Sequence, residues 1–328
     1  MRRLSFPLSA SVRPEIRQAV PTVAAFAAIY LIWGSTYLAV RVAVETIPPL
    51  LMMGIRSLAA GVALYVWARR STGTGPTQRE WANAALIGVL LFTTGHGLLA
   101  IAERDADSGI SAVLLATIPL WVPLLAWLIP AGASGKDRSG QRRGAAPSVR
   151  VLACLAVGFA AVAVLVWNAA GRDDNAVAGL DFGSAAILLV SAFFWALGTV
   201  LTRRLRLPAS PVMAAGCELF AGGAAMIAVG VATGEAAALD PGAVTARSAL
   251  AFAYLTTAGS VVGFSAYVWL LGRVPPTRVA TYAYMNPVIA VLLGWAWLGE
   301  TVNATMLAAG TAIVAAVAGI VAAPDATT

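Results

Sequence analysis

The chain has 328 residues, of which 59% are apolar and only 11% charged, and the runs between charges repeatedly reach about twenty residues, the length of a helix that crosses a bilayer's hydrocarbon core. That excludes an ordinary soluble globular protein. The formal charge of +7 does not imply nucleic acid, because its placement follows membrane topology.

Ten spanning helices are predicted, near 21–42, 48–69, 81–102, 107–129, 150–168, 182–202, 209–232, 248–271, 277–298 and 302–322. The first exceeds the apolar stretch of a signal peptide and no small-residue cleavage site follows, so it is expected to remain as helix one. It carries Tyr30, Trp33 and Tyr37 on one stripe, by helical period. The second contains "MMGIRSLAAG", with Arg56 inside an apolar run; an intramembrane charge is either partnered or functional. The third holds the single histidine. His96, Ala100 and Glu103 share its face, so His96 and Glu103 are candidates for proton coupling, although a hydrogen-bonded histidine and a helix-end acid beside Arg104 fit the spacing as well.

The fourth helix carries Pro119 and Pro123. After the fifth comes a polar link from Ala170 to Asp181, matching the Gly/Arg/Ser-rich link Gly132–Val149 that precedes it. Ser191, Trp195 and Thr199 share a face of the sixth, the seventh carries Glu218, and the eighth contributes Tyr267. In the ninth, Tyr282 and Asn286 lie on one face, Tyr284 points away, and Pro287 removes a backbone donor where a helix would loosen. Pro119 and Pro287 are therefore hinge candidates. Cys154 and Cys217 have no metal or redox spacing and read as small apolar fillers.

Seventeen of the 22 basic residues fall on the N-terminal tail and the even-numbered turns, whereas Glu45, Glu103, Asp105, Asp107, Asp173, Asp174, Asp181, Glu235, Asp240 and Glu300 collect on the other side. The positive-inside rule then places both termini in the cytoplasm. Residues 1–20 and 323–328 are expected to be cytoplasmic tails flanking two repeats, 21–168 and 182–322.

Those repeats show directly in the residues. A shift of 162 aligns Trp33 with Trp195, Arg41 with Arg203, Pro49 with Pro211, Gly54 with Gly216 and Gly61 with Gly223, and pairs Arg56 with Glu218. A shift of 168 aligns Gly95 with Gly263, Pro119 with Pro287 and Trp127 with Trp295. Five crossings per copy is an odd number, so the copies would enter the membrane from opposite sides, the inverted-repeat arrangement of secondary transporters. Arg56 and Glu218 are an intramembrane charge-pair candidate whose depths differ by roughly 10 Å. The flanking glycines favour close helix packing, so a packing role and a substrate or ion contact both remain open.

The stretches "YLIWGSTYLAVRVAVETIPPLLMMGIRSLAAG", "SGISAVLLATIPLW" and "ATYAYMNPVIAVLLGWAWLGE" resemble the signatures of EamA-domain proteins of the drug/metabolite transporter (DMT) superfamily, in the manner of bacterial inner-membrane permeases. The resemblance runs from about residue 21 to 322. It implies an all-α integral membrane fold of ten helices in two five-helix inverted repeats, and transport of small metabolites, often export, with amino acids among the substrates. It further implies that helices 1, 3, 4, 6, 8 and 9 surround the pathway. The expected substrate-binding residues are then Trp33, Tyr37, His96, Trp195, Thr199, Tyr267, Tyr282 and Asn286. Aromatic stripes pack as readily as they bind, and that alternative stands beside the assignment.

Neither HExxH nor GxSxG is present, and no GxxxxGK[ST], so the parts of a metalloprotease, a serine hydrolase or an ATP-driven pump are missing. The expectation is a non-enzymatic carrier without cofactor or metal. Its partners are a small-molecule substrate and the lipid bilayer, with no nucleic acid and no ATPase subunit, and it is a monomer or weak homodimer. A passive channel is the rival reading.

Overall fold

The computed structural model describes residues 14–129, 147–170, 180–271, 273–274, 279 and 281–322. Residues 1–13, the C-terminal tail 323–328 and most of the links at 132–149 and 170–181 lie outside them, while 14–20, expected as tail, extend the first helix. Among the described residues there is no strand. The main helices are α1 (Pro14–Ala43), α2 (Pro49–Thr72), α3 (Gln78–Ala102), α4 (Ser108–Leu128), α5 (Val149–Ala170), α6 (Phe182–Thr202), α7 (Pro211–Ala232), α8 (Ala246–Leu271), α9 (Tyr282–Leu298) and α10 (Ala304–Val321). Nine of these are long and apolar enough to cross a membrane; α9 is apolar but has 17 residues, a rise of about 25 Å at 1.5 Å per residue. The predicted ninth span, 277–298, is thus seen over Tyr282–Leu298, with positions 277, 278 and 280 outside the described residues.

Local sequence explains where the helices begin. Pro49 and Pro211 occupy first-turn positions, where the missing N–H costs nothing. Thr77 and Glu80 form a reciprocal capping box on α3. Asp181, Thr245 and Asn303 accept from the backbone N–H of Ser184, Ser248 and Met306 at 3.0, 3.1 and 2.8 Å. The Asp181 carboxyl is held below the usual range, chiefly by the Ser184 hydroxyl and N–H. Helix α4 is interrupted: Ser108–Leu115 ends at Ala116 and Ile118–Leu128 resumes with Pro119 in its first turn. No such interruption occurs at Pro287, which lies inside a continuous Tyr282–Leu293; the helix widens later, into a π-helical turn over Gly294–Leu298.

Helices α2 and α7 cross so closely that only glycine fits, and the contacts are reciprocal. A Cβ on Gly54 would stand 2.7 Å from Ile227, and one on Gly216 would stand 2.7 Å from the Tyr65 backbone. Gly61 likewise meets Phe220 while Gly223 meets Leu58. In each case the partners exchange under the shift of 162. Close backbone approach is what small residues supply where no hydrophobic effect drives helices together.

One apolar core gathers around Ile110, Leu114, Leu165, Leu188 and Ile313, and another, which includes residues of α2 and α7, around Val40, Met52, Met53, Met226 and Leu255. Large apolar side chains also face outward, Trp167 at 81%, Leu250 at 72% and Trp297 at 72% exposure. A soluble surface would not carry so many, whereas lipid tails accept them.

Polar ties close the two ends of the bundle. At the acidic end, Arg41 donates to the backbone carbonyls of Glu103 and Arg104 at 2.9 and 2.7 Å. There Glu235 accepts from Leu50 N and Leu51 N, and Glu300 accepts from Ser108 N, Ser108 Oγ and Gly109 N. At the basic end, Arg204 donates to the carbonyls of Ile129 and Ala126, each at 2.6 Å.

Candidate functional site

Two aromatic clusters lie within the bundle. The first joins α1, α8 and α9: the Trp33 ring lies 5.3 Å from Tyr267 and 4.8 Å from Tyr282, and the two tyrosine rings are 6.1 Å apart. Tyr30 Oη and Thr281 Oγ1 hydrogen-bond at 2.5 Å beside it. The second joins α3 and α6: the His96 ring lies 4.5 Å from Trp195 and 5.5 Å from Phe92, with Phe92 5.9 Å from Trp195.

Each tryptophan packs on a π-helical segment, Trp33 on Leu255–Val262 of α8 and Trp195 on Val89–His96 of α3. Such segments loosen the regular bonding ladder and recur at functional sites. Here they turn carbonyls toward neighbours: Trp33 Nε1 donates to Gly259 O at 3.2 Å, and Ser191 Oγ donates to Gly95 O at 2.8 Å. A Cβ on Gly263 would stand 2.6 Å from the Trp33 ring, and one on Gly95 would stand 2.8 Å from the Trp195 ring. Both glycines are the residues that let an indole approach the backbone.

Arg56 lies beside the first of these carbonyls. Its Nε donates to Ser260 Oγ at 2.8 Å and its Nη1 faces Met53 Sδ at 3.7 Å, next to Gly259 and within electrostatic reach of His96. A guanidinium has five N–H donors, so most of this group's donors are not used by the two contacts. The expected partner is elsewhere: among the described residues Arg56 and Glu218 form no ion pair. Glu218 sits at the crossing of α7 with α3, its carbonyl packed on Gly88.

The remaining predicted residues separate into different surroundings. Asn286 is buried, and its Oδ1 has no hydrogen-bond partner. Thr199 Oγ1 bonds the Trp195 carbonyl of its own helix. Tyr37 packs on the core around Leu114 and Leu188, within reach of both Tyr282 and Glu103. Tyr284 points away from the first cluster, toward Leu120 and Leu155. His96 stacks in the second aromatic cluster while Glu103 lies beyond the end of α3, so the two do not touch.

Comparison with known proteins follows this geometry. The model of the EamA-like transporter family matches residues 21–131 and 183–322. The chain belongs to the EamA-like transporter family. Among relatives, the uncharacterized inner membrane transporter YedA of Escherichia coli K12 is 36% identical over 290 residues, covering 88% of this chain and 87% of that protein. The uncharacterized transporter YvbV of Bacillus subtilis is 24% identical over 287 residues, covering 88% and 87%. A crystal structure at 20% identity superposes with a TM-score of 0.56 over 92% of this chain and 97% of the other, a likeness of fold. As an EamA-family member this chain is a transporter rather than an enzyme by family.

Sequence reasoning passed over Arg41 and Glu300, which it treated as topological charges, and Ser260 and Phe92. Glu300 stood in the quoted "GWAWLGE", but its partners Ser108 and Gly109 are almost two hundred residues away.

Proposed function

We propose that this protein is a secondary transporter of the bacterial inner membrane, an exporter or exchanger of small amphipathic metabolites such as amino acids or drugs. Ten helices form two five-helix inverted repeats with both termini cytoplasmic, and rocking of one repeat against the other opens the central site alternately to each side. The substrate's apolar body lies between the two aromatic clusters. Arg56 and Asn286 orient its polar groups, Arg56 taking a carboxylate where there is one, since a guanidinium matches that geometry with paired donors.

The observation that carries this reading is the exchange of partners between halves: Trp33 on Gly263 and Trp195 on Gly95. These are the residues that the shifts of 162 and 168 align. Two equivalent contacts of this kind are what a two-fold axis in the membrane plane requires. The relatedness to YedA, an inner membrane transporter by name, supports the location.

The test is counterflow in proteoliposomes with labelled amino acids, nucleosides and cationic drugs, comparing the native chain with Trp33→Ala and Asn286→Ala. Saturable exchange that either substitution weakens at least tenfold is expected. Linear, non-exchanging flux would identify a channel, and unchanged transport of every accepted compound in both variants would remove the site assignment.

A further inference from the structure

The acidic end contains a carboxyl group in an unusual setting. Glu103, just past the end of α3, is 0% exposed, and neither carboxyl oxygen has a hydrogen-bond partner. Every neighbouring charge is accounted for. From α1 come Tyr37 and Arg41, but the Arg41 Nη1 is occupied by the backbone carbonyls of Glu103 and Arg104. From its own turn comes Arg104, and from the start of α4 comes Asp107. From the turn after α9 comes Glu300, whose carboxylate is taken up by Ser108 and Gly109. A cleft of about 460 Å³ opens beside them, lined by Arg41, Glu45, Asp107, Arg247, Trp297 and Glu300 among others.

A buried, unpaired carboxylate is far too costly to persist, and such a group neutralises instead. Three donors hold the Glu300 carboxylate. Glu103 has none, and it stands near the Glu300 charge. Burial first, and then Glu300, push the Glu103 carboxyl well above its ordinary range, against an opposing effect of Arg41. Opening this end would admit water and separate Glu103 from Glu300, removing both causes.

We propose that the Glu103 carboxyl is a proton-binding site of the transport cycle, taking one proton from water as the acidic end closes and releasing it as that end opens. The only bond made or broken is the carboxyl O–H. The inference rests on the alternating-access reading, because closure of this end is half of that cycle. Its sign follows from linkage: the closed form has the raised pKa and binds more protons, so closure is favoured at low pH and lost as pH rises through that value.

The test uses the full chain in nanodiscs, with Cys154→Ala and Cys217→Ala as background and spin labels on Asp105→Cys and Thr301→Cys, read by pulsed electron resonance from about pH 5 to about pH 9. The short-distance population should give way to a longer one as pH rises, with the open-to-closed ratio growing about tenfold per pH unit across the responsive range for one proton. Glu103→Gln should hold the short distance at every pH, and Glu103→Asp should restore a response. A response surviving in Glu103→Gln, or none in the native chain, overturns the proposal. So does a distance change on replacing choline with sodium at fixed pH that Glu103→Gln abolishes, which would assign the site to a metal cation.

Should Glu103→Gln fail to fold, the native chain decides by infrared spectroscopy. The stretch of a protonated buried carboxyl must fade over the pH range in which the labels move apart, and a band at all pH values or at none refutes the assignment. No substrate enters these measurements. Their failure with intact counterflow removes the proton site alone, and failed counterflow with an intact response removes the carrier reading alone.

Discussion

Glu300→Gln should loosen the acidic end, and the effect can be sized from its contacts. The carboxylate accepts from Ser108 N at 2.8 Å, Ser108 Oγ at 2.7 Å and Gly109 N at 2.9 Å, and Glu300 is 9% exposed. Glutamine keeps one acceptor and replaces the other with an NH₂ that faces a donor. It also removes the negative charge from the N-terminus of α4, where the helix dipole favours it. Hydrogen bonds to a charged group contribute about 1.5–3 kcal/mol each, and a buried donor left unpaired costs about 1–3 kcal/mol. Losing one such bond and stranding one N–H gives about 3–5 kcal/mol against closure, or roughly two to four orders of magnitude in the open-to-closed ratio.

Ser111→Cys, at a position that is 0% exposed three residues into α4, reports that ratio by its rate of maleimide labelling in the Cys154→Ala, Cys217→Ala background. Labelling should rise at least about a hundredfold in Glu300→Gln. A rate within about threefold of the parent, in protein that remains monodisperse, would show that Glu300 does not hold the helix ends together.

Gly223→Leu should destabilise the bundle by about 3 kcal/mol or more, at or above the usual cost of overpacking. Its Cβ would stand 2.5 Å from Leu58 N and 2.9 Å from Gly54 O, and backbone cannot yield as a side chain can; thermal unfolding in detergent against Gly230→Ala as a milder control checks this. Arg56→Gln should weaken counterflow of carboxylate-bearing compounds about tenfold or more, with smaller loss for cationic ones, because a charge-assisted bond contributes about 1.5–3 kcal/mol; equal loss for both classes would reduce Arg56 to a packing residue.

What the residue pattern made legible is what repeats along the chain. Apolar runs of spanning length, the shifts of 162 and 168, and glycines recurring at Gly54, Gly61, Gly216 and Gly223 are periodic or duplicated features, and each corresponds to a physical contact in the bundle. The aromatic stripes were legible for the same reason. Helical period placed Trp33 and Tyr282 on inward faces, and their rings meet at 4.8 Å. The π-helical turns were not legible, because nothing in "VLLFTTGH" or "LTTAGSVV" departs from an ordinary membrane helix. Each widening coincides with a contact from another helix, Trp195 lying against Gly95 and Trp33 against Gly263.

The charged residues were harder still, because a charge in a membrane protein has two kinds of solution and sequence position does not distinguish them. Repeat alignment set Arg56 opposite Glu218 and so suggested mutual neutralisation. Under the proposed inversion, however, aligned residues would lie at mirrored depths, and a pair equidistant from the midplane would meet only when both lie near it. Arg56 instead bonds Ser260 on the neighbouring helix. Glu235 and Glu300 solve the opposite problem, each spanning a link to bind the N–H groups that begin α2 and α4. Helix N-termini need such acceptors wherever the sequence supplies no cap of its own. Asp107, which precedes α4, makes no capping bond to it. The vacancy that Asp107 leaves is therefore filled by Glu300, and burial first, then the Glu300 charge, push the adjacent Glu103 carboxyl well above its ordinary range.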